Sequence, residues 1–473
     1  MDVTENDITP LLNGGIHPHP KDDDEHDDTA GFCEMVIVAP FINLFEQSLC
    51  RTYYSFPSGK IDDALCKIPE IQAPLATIRG WKSTFDTLAV ILVGIPFGKL
   101  GDRYGLRKTL AVAVVGVIFS LSTIFVVCAF PKVLPLRLVW LSSVFILCGG
   151  GLPSAVSFMW AMVSESIPLE WRRRAFYYVF SAFYVAELVA SFVAATTTDI
   201  SSWIPCGLAL VSLLLCLLLL WIMPDSRSSG HYLESQAEPG NDANDTANTS
   251  GLPAKTALID SFKSILFHRN ILLTLPTFLV VTLRYTTLNI LIQYASIRFG
   301  FKISAGATFY TESAVINLVL FLLVMPRLNA YIQSRYKIKS QNIDLNYVRI
   351  SVCLLCIGSL LIGLAPSGRL LPLGVFVFSG GFGSRVHALA LATHWIAKDF
   401  KATFYTAIAV LENIGHMLGD PAMQQIFAAT LRATPFWHAL PFFVAAALYL
   451  IAMIATAFVK IDEDNSECLQ EES

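Results

Sequence analysis

Three residues late in the chain, Glu412, His416 and Asp420, recur at every fourth position within FYTAIAVLENIGHMLGDPAMQQIFAATL, a stretch that is otherwise largely apolar. In a helix that spacing sets all three on one face, spread over roughly 12 Å of depth. Burial drives a carboxylate towards its protonated form, a nearby cation drives it back, and histidine titrates near neutrality. Such a stripe is suited to loading and releasing a proton. Arg385, in the preceding apolar stretch, comes to a similar depth. Two readings are open: Glu412 as a coupling carboxylate with His416 as its partner towards the outside, or a fixed Glu412–Arg385 salt bridge holding two helices together.

Other ionisable residues also fall inside apolar runs: Glu46, Lys82, Asp86, Glu187, Arg284, Glu312 and His387. Charged groups at membrane depth are costly and normally face a protein interior or a wet cavity. Glu46, Glu187, Arg284 and Glu312 are therefore candidates to line such a cavity, with Tyr285 and Trp160 as candidates for an apolar wall. The signatures of common enzyme chemistries are missing. There is no HExxH zinc pair, no GxSxG elbow and no GxxxxGK[ST] phosphate loop, which argues against an intramembrane enzyme and against ATP as a direct energy source. Cys353 and Cys356 have zinc-like spacing but lie in an apolar run, where cysteine acts as a small hydrophobe. Neither a metal nor a cofactor is expected.

The elements that would position these residues follow from composition. The chain has 473 residues, 54% hydrophobic and only 15% charged, with a mean hydropathy of +0.57. Soluble proteins carry roughly 25% charged residues, and apolar runs long enough to cross about 30 Å of hydrocarbon recur throughout. Six windows lie at 34–50, 74–98, 109–130, 136–163, 175–197 and 203–223, and six more at 271–295, 305–329, 347–364, 370–397, 403–430 and 436–459. The expectation is an all-α polytopic membrane protein with twelve transmembrane helices in two six-helix bundles, 34–223 and 271–460. A polar linker, 224–270, would tether them, between an acidic disordered tail at 1–33 and a short tail at 461–473. Spans three, six and nine have no charge in their interiors, and span twelve has only His438 near its outer end. This predicts that the third and sixth helices of each half face lipid while the others surround a polar cavity.

Lysine and arginine gather between spans two and three (Lys99, Arg103, Arg107, Lys108), after span four (Arg172, Arg173, Arg174), after span eight and after span ten. Cytoplasmic loops carry such an excess, so both ends and the linker are placed in the cytoplasm. The sequons at Asn244 and Asn248 then never meet the glycosylation machinery. The one large outward loop is flanked by Cys50 and Cys66, either bridged or left as two free thiols. In the first tail, Asp7 to Leu12 reads like an acidic dileucine sorting signal, which allows a vacuolar or endosomal membrane beside the expected plasma membrane.

The cation-rich loop FGKLGDRYGLRKTL (97–110) resembles the signature loop between spans two and three of the major facilitator superfamily, with Leu106 where a cation is usual. ESIPLEWRRRAF (165–176) is similar to that family's Arg-rich loop after span four. The traces LCRTYYS…ALCKIPEIQAPLATIRGW, LIQYASIRFGF and the span-eleven stretch resemble a fungal branch of drug and secondary-metabolite exporters. The resemblance implies a secondary transporter working by alternating access, first of all proton-coupled efflux of a small amphipathic molecule. Nutrient or sugar-type uptake is the alternative, and a non-transporting membrane sensor comes third. It also implies a conformational latch made of Gly98, Asp102, Arg103, Gly105 and Arg107, with Asp102 at the cytoplasmic start of span eleven. The exporters' Arg-x-x-Gln-Gly and Gly-Pro-x-x-Gly-Gly elements are absent; VFILCGGGLPSA and FYVAELVASFVAA stand in their places. The partners expected are a small-molecule substrate, the lipid bilayer and protons, with no nucleic acid and a monomeric chain.

Overall fold

A computed structural model describes residues 32–33, 35–55, 63–166, 169–222, 269–336, 340–393, 395 and 401–460. Twelve helical segments cross the molecule among these residues. In the first bundle they are α1 (Val38–Tyr54), α2 (Pro69–Tyr104), α3 (Leu106–Ala129), α4 (Leu136–Leu141, Ser142–Gly149 and Gly151–Ser166), α5 (Leu169–Thr197) and α6 (Trp203–Ile222). In the second they are α7 (Arg269–Val281 and Leu283–Phe299), α8 (Ile303–Val319, a π-helical turn Leu320–Val324, then Met325–Tyr336), α9 (Ser340–Leu364), α10 (Gly368–Leu370, Leu371–Ser379 and Ser384–Thr393), α11 (Lys401–Thr430) and α12 (Trp437–Ala439 and Leu440–Ala457). Eight of these are long and apolar enough to qualify as spans on composition alone. α2 and α11 carry charge that lipid would not accept but a cavity would.

The dileucine stretch, residues 224–268 of the linker and the second tail lie outside the described residues, and α7 takes up the last two residues assigned to the linker. α2 (Pro69–Tyr104) exceeds its predicted window by about a turn and a half at each end, because its polar ends continue the helix beyond the apolar stretch. α9 likewise begins seven residues earlier than its window, at Ser340, which brings Asp344 into the helix, where it meets His387 Nδ1 of α10 at 3.1 Å.

Burial is one-sided on the lipid-facing helices. On α6, Leu208, Val211, Leu214, Leu215 and Leu218 are exposed while Cys206, Ala209, Leu213 and Cys216 are buried, a stripe at helical period. α3 departs from the expected pattern. Although uncharged beyond Lys108, it turns Val117, Ser120, Leu121 and Ile124 towards the central cavity. The absence of charge marked it as a lipid-facing helix, but an amphipathic cavity needs an apolar wall as well as a polar one.

α2 and α11 are the main contact between bundles. Gly80 lies against α11 so closely that a Cβ there would stand 3.0 Å from Pro421 Cα and 3.0 Å from Gln424 Cβ. Without a hydrophobic drive between helices in lipid, such backbone approach is how they gain packing contacts. On the face that the cation distribution assigns to the cytoplasm, α2 ends at Gly105, whose φ of +100° suits glycine and whose N–H donates to Gly101 O.

Candidate functional site

Between α1–α4 and the pair α7 and α11 lies a cavity of about 550 Å³, within the range typical of small-molecule sites. One wall is apolar, built by Phe41, Phe45, Leu121, Ile124 and Ile146. The other is polar: Arg79, Lys82, Ser83 and Asp86 from α2 meet Tyr285, Thr286 and Asn289 from α7 and Asn413, His416 and Asp420 from α11. α4 borders it where the chain breaks at Gly150 and Gly151.

On its outward side the cavity is closed by polar contacts between the bundles. Asp420 accepts hydrogen bonds from the hydroxyls of Ser83 on α2 and Thr286 on α7, and His416 Nδ1 stands 3.8 Å from it. Thr84 donates to Met417 O at 3.2 Å. Further out, Arg79 Nη1 donates to Gln293 Oε1 at 3.1 Å, and Nη2 reaches Asn289 O and Oδ1 at 3.4 Å. Gln293 Nε2 in turn donates to Gln72 Oε1 at 2.7 Å. Gln72 Nε2 donates to Glu46 Oε1 at 3.0 Å, and Lys67 Nζ reaches Glu46 at 2.6 Å. Between the α5–α6 loop and the start of α8, Ser304 donates to Asp199 at 2.5 Å. These hydrogen bonds between the two bundles all lie in the outer half.

Cys50 and Cys66 are bridged, with Cα atoms 5.5 Å apart. The bridge ties the end of α1 to the segment that carries Lys67 and to Cys66 O, which accepts from Gln72 at 2.9 Å. The disulfide therefore anchors the outermost part of the seal.

The predicted site residues are sorted by this geometry. His416, Asp420 and Tyr285 line the cavity. Glu412 is instead held by Arg385 in a two-pronged pair, Nε to Oε1 at 2.6 Å and Nη2 to Oε2 at 2.9 Å, the geometry of a strong guanidinium–carboxylate contact. Of the residues expected to line the cavity, Glu46 sits buried in the outer seal. Glu187, 2% exposed, and Glu312 are not part of the wall. Arg284 is also off the wall: its guanidinium donates to Phe382 O at 2.8 Å and lies over the rings of Tyr285 and Phe382, so α10 rather than the cavity accounts for it. The side chain of Trp160 lies outside the described residues.

The latch is only partly described. The side chain of Asp102, and those of Lys401, Ala402 and Thr403 at the start of α11, lie outside the described residues. Arg103 lies 5.7 Å from the Tyr104 ring, and Arg107 is half-buried. Gly98 does not serve close approach, since a Cβ there would meet nothing within 4 Å. Gly101, which faces Phe158 and Leu106 at 3.2 Å, fills that role.

Arg79 was missed among the charges of span two, and the sequence held its signal. Residues 79, 82 and 86 are spaced i, i+3, i+7, one helical stripe. The amides Gln72, Asn289 and Gln293 were missed because a search for ionisable groups passes over neutral polar ones. Lys82 and Asp86 pair with each other one turn apart, and Ser143 of α4 donates to Asp86.

Comparison with known proteins agrees with this architecture. Residues 75–384 match the family model described as Major Facilitator Superfamily. The chain is 30% identical to "Efflux pump ustT" of Aspergillus flavus, over 82% of this chain and 78% of that one. It is 28% identical to "MFS efflux pump atnC" of Emericella nidulans, over 87% and 82%. Among solved structures it superposes on a D-xylose-proton symporter with a TM-score of 0.64 at 14% identity, covering 93% of this chain and 98% of that one. A variant of the nucleoside transporter NupG gives 0.63 at 13%, covering 93% and 100%. A central cavity between two six-helix bundles, the signature loop at the α2–α3 turn and these matches lead to one conclusion: the chain is a multi-pass membrane transporter, not an enzyme, and belongs to the major facilitator superfamily.

Proposed function

We propose that the chain exports a small amphipathic organic molecule by alternating access, as a monomer in the plasma membrane, using the proton gradient. The observation that carries this reading is the cavity itself, apolar on the α1–α3 side, charged on the α2–α11 side, and sealed towards the outside. Such a site is shaped to receive an amphipathic solute from the inner side. The relatives' description as efflux pumps supports the direction.

In this reading the proton acts at Asp420 rather than at Glu412. As an ionised group it accepts from Ser83 and Thr286 together, joining both bundles. A proton on either oxygen makes it a donor and weakens it as an acceptor, so the bond it takes reverses or weakens, and the strength of the seal follows the proton. His416, 3.8 Å away on the same wall, is placed to hand a proton over.

The test is transport into inside-out vesicles from cells expressing the chain, with a panel of anionic, neutral and cationic amphipathic dyes. Export by proton antiport requires accumulation when the vesicle interior is acidic and collapse of that accumulation with a protonophore. Accumulation only in right-side-out vesicles would instead identify an uptake system. Asp420→Asn should abolish the response to the pH gradient while leaving protein levels normal; an unchanged pH response would remove Asp420 from the coupling role.

A further inference from the structure

Arg79 is the unusual group of the cavity. Its guanidinium donates only to neutral acceptors, the side chain of Gln293 and the side chain and carbonyl of Asn289, and no ion pair joins it to any acid among the described residues. The acids of the same wall are otherwise engaged: Asp86 with Lys82 and Ser143, Asp420 with Ser83 and Thr286. Asp420 acts on it through space but makes no hydrogen bond with it, being held by Ser83 and Thr286, so this cation at membrane depth is incompletely compensated. Arg79's bonds to these oxygens have only one ionised member, whereas an arriving anion adds direct charge–charge attraction, and the planar fork suits a carboxylate or another oxyanion in two-pronged fashion. An anion arriving in the cavity therefore outcompetes the two amides for the same N–H groups.

Those amides both belong to α7, whereas Arg79 belongs to α2. Their bonds are part of the outer seal. We propose that Arg79 is the receptor for an anionic headgroup on an amphipathic substrate, and that binding it releases α2 from α7 and so unfastens the outer gate. The remainder of the solute would lie against Phe41, Phe45, Leu121 and Ile124. This inference names the substrate class of the cavity described above and rests on the reading of that cavity as the transport site. It depends neither on the direction of transport nor on the proton.

The experiment is direct binding, without transport, so that it stands or falls separately from efflux. The purified chain in nanodiscs is titrated with dansylglycine and with its neutral amide, two fluorophores of nearly equal shape. Dansylglycine should bind about tenfold more tightly than the amide, and Arg79→Gln should erase the difference. Gln293→Ala removes a neutral competitor and keeps the charge, so it should raise the affinity for dansylglycine several-fold and leave that for the amide unchanged. A purely structural arginine would not give that gain. In parallel, Thr77→Cys, placed in the outer seal beside Gln425, should react faster with a membrane-impermeant maleimide when dansylglycine is present, the parental chain being the reference for native cysteines. Equal affinity for the two fluorophores, absence of binding by both included, overturns the anion receptor. Preferential binding with no change in labelling overturns the link to the gate.

Discussion

At the scale of single residues, one sequence pattern carries two different sets of contacts. Glu412, His416 and Asp420 were legible as one face of a helix because their spacing is periodic, and periodicity survives without coordinates. Which of them meets a partner depends on helix rotation and on the neighbouring helix, and neither is written in the spacing. Arg385 closes on Glu412 with two bonds that join α10 to α11, while Asp420, two turns further out, meets α2 and α7. Glu412→Gln alone should lower the amount of folded protein, because it leaves a guanidinium without its counter-charge. With 44% of the Arg385 side chain exposed, the cost is on the order of 1 kcal/mol rather than that of a fully buried pair. Arg385→Gln in the same chain should restore expression and thermal stability. Loss of pH-driven transport in Glu412→Gln at normal protein levels would return the coupling role to Glu412.

Elements were read from apolar length, and that signal served best for α6, which contains no charge, and for α3, whose only charges are Arg107 and Lys108 at its start. It served less well where helices are interrupted or polar. α4 breaks at Gly150 and α10 between Ser379 and Ser384, while α2 runs on through Pro74 and Pro96. Such interruptions matter because they shape the cavity wall and allow close contact, as Gly80 of α2 does against Pro421 of α11. The sequence offers no sign of which glycine of many will touch another backbone; only the packed pair reveals it. A valine at position 80 would place its Cβ and both methyls against Pro421 and Gln424, with backbone as one of the opposing partners. Overpacking of this kind costs about 1–3 kcal/mol, and here it falls on the outer seal. Gly80→Val should therefore reach the membrane, label more readily at Thr77→Cys, and transport poorly. Wild-type labelling with wild-type transport would show that α2 and α11 do not need this approach.

For the whole molecule, the described contacts between bundles concentrate on the outward half, from Thr84 and Met417 near the middle to Asp199 and Ser304 at the rim. A transporter that alternates must break all of them in one phase of its cycle, so their separate bonds act as one cooperative catch. Each is individually modest, about 1 kcal/mol net between neutral groups and about 1.5–3 kcal/mol where Arg79, Asp420 or Asp199 takes part, which suits a state that has to be left on every turnover. Making a single one of them permanent should therefore stop the cycle. Asp199 and Ser304 touch through their side chains across the two bundles, and neither belongs to the cavity. With cysteines at both positions, oxidation should abolish transport while dansylglycine still binds from the inner side, though more weakly because its binding is linked to opening of the gate, and a reductant should restore activity. The single cysteine variants under the same oxidant control for damage elsewhere, and the parental chain under the same reductant controls for opening of Cys50–Cys66. Full transport with the cross-link formed would mean that the outer rim does not separate during the cycle, and the gate would have to be sought lower, at Arg79 and Asp420.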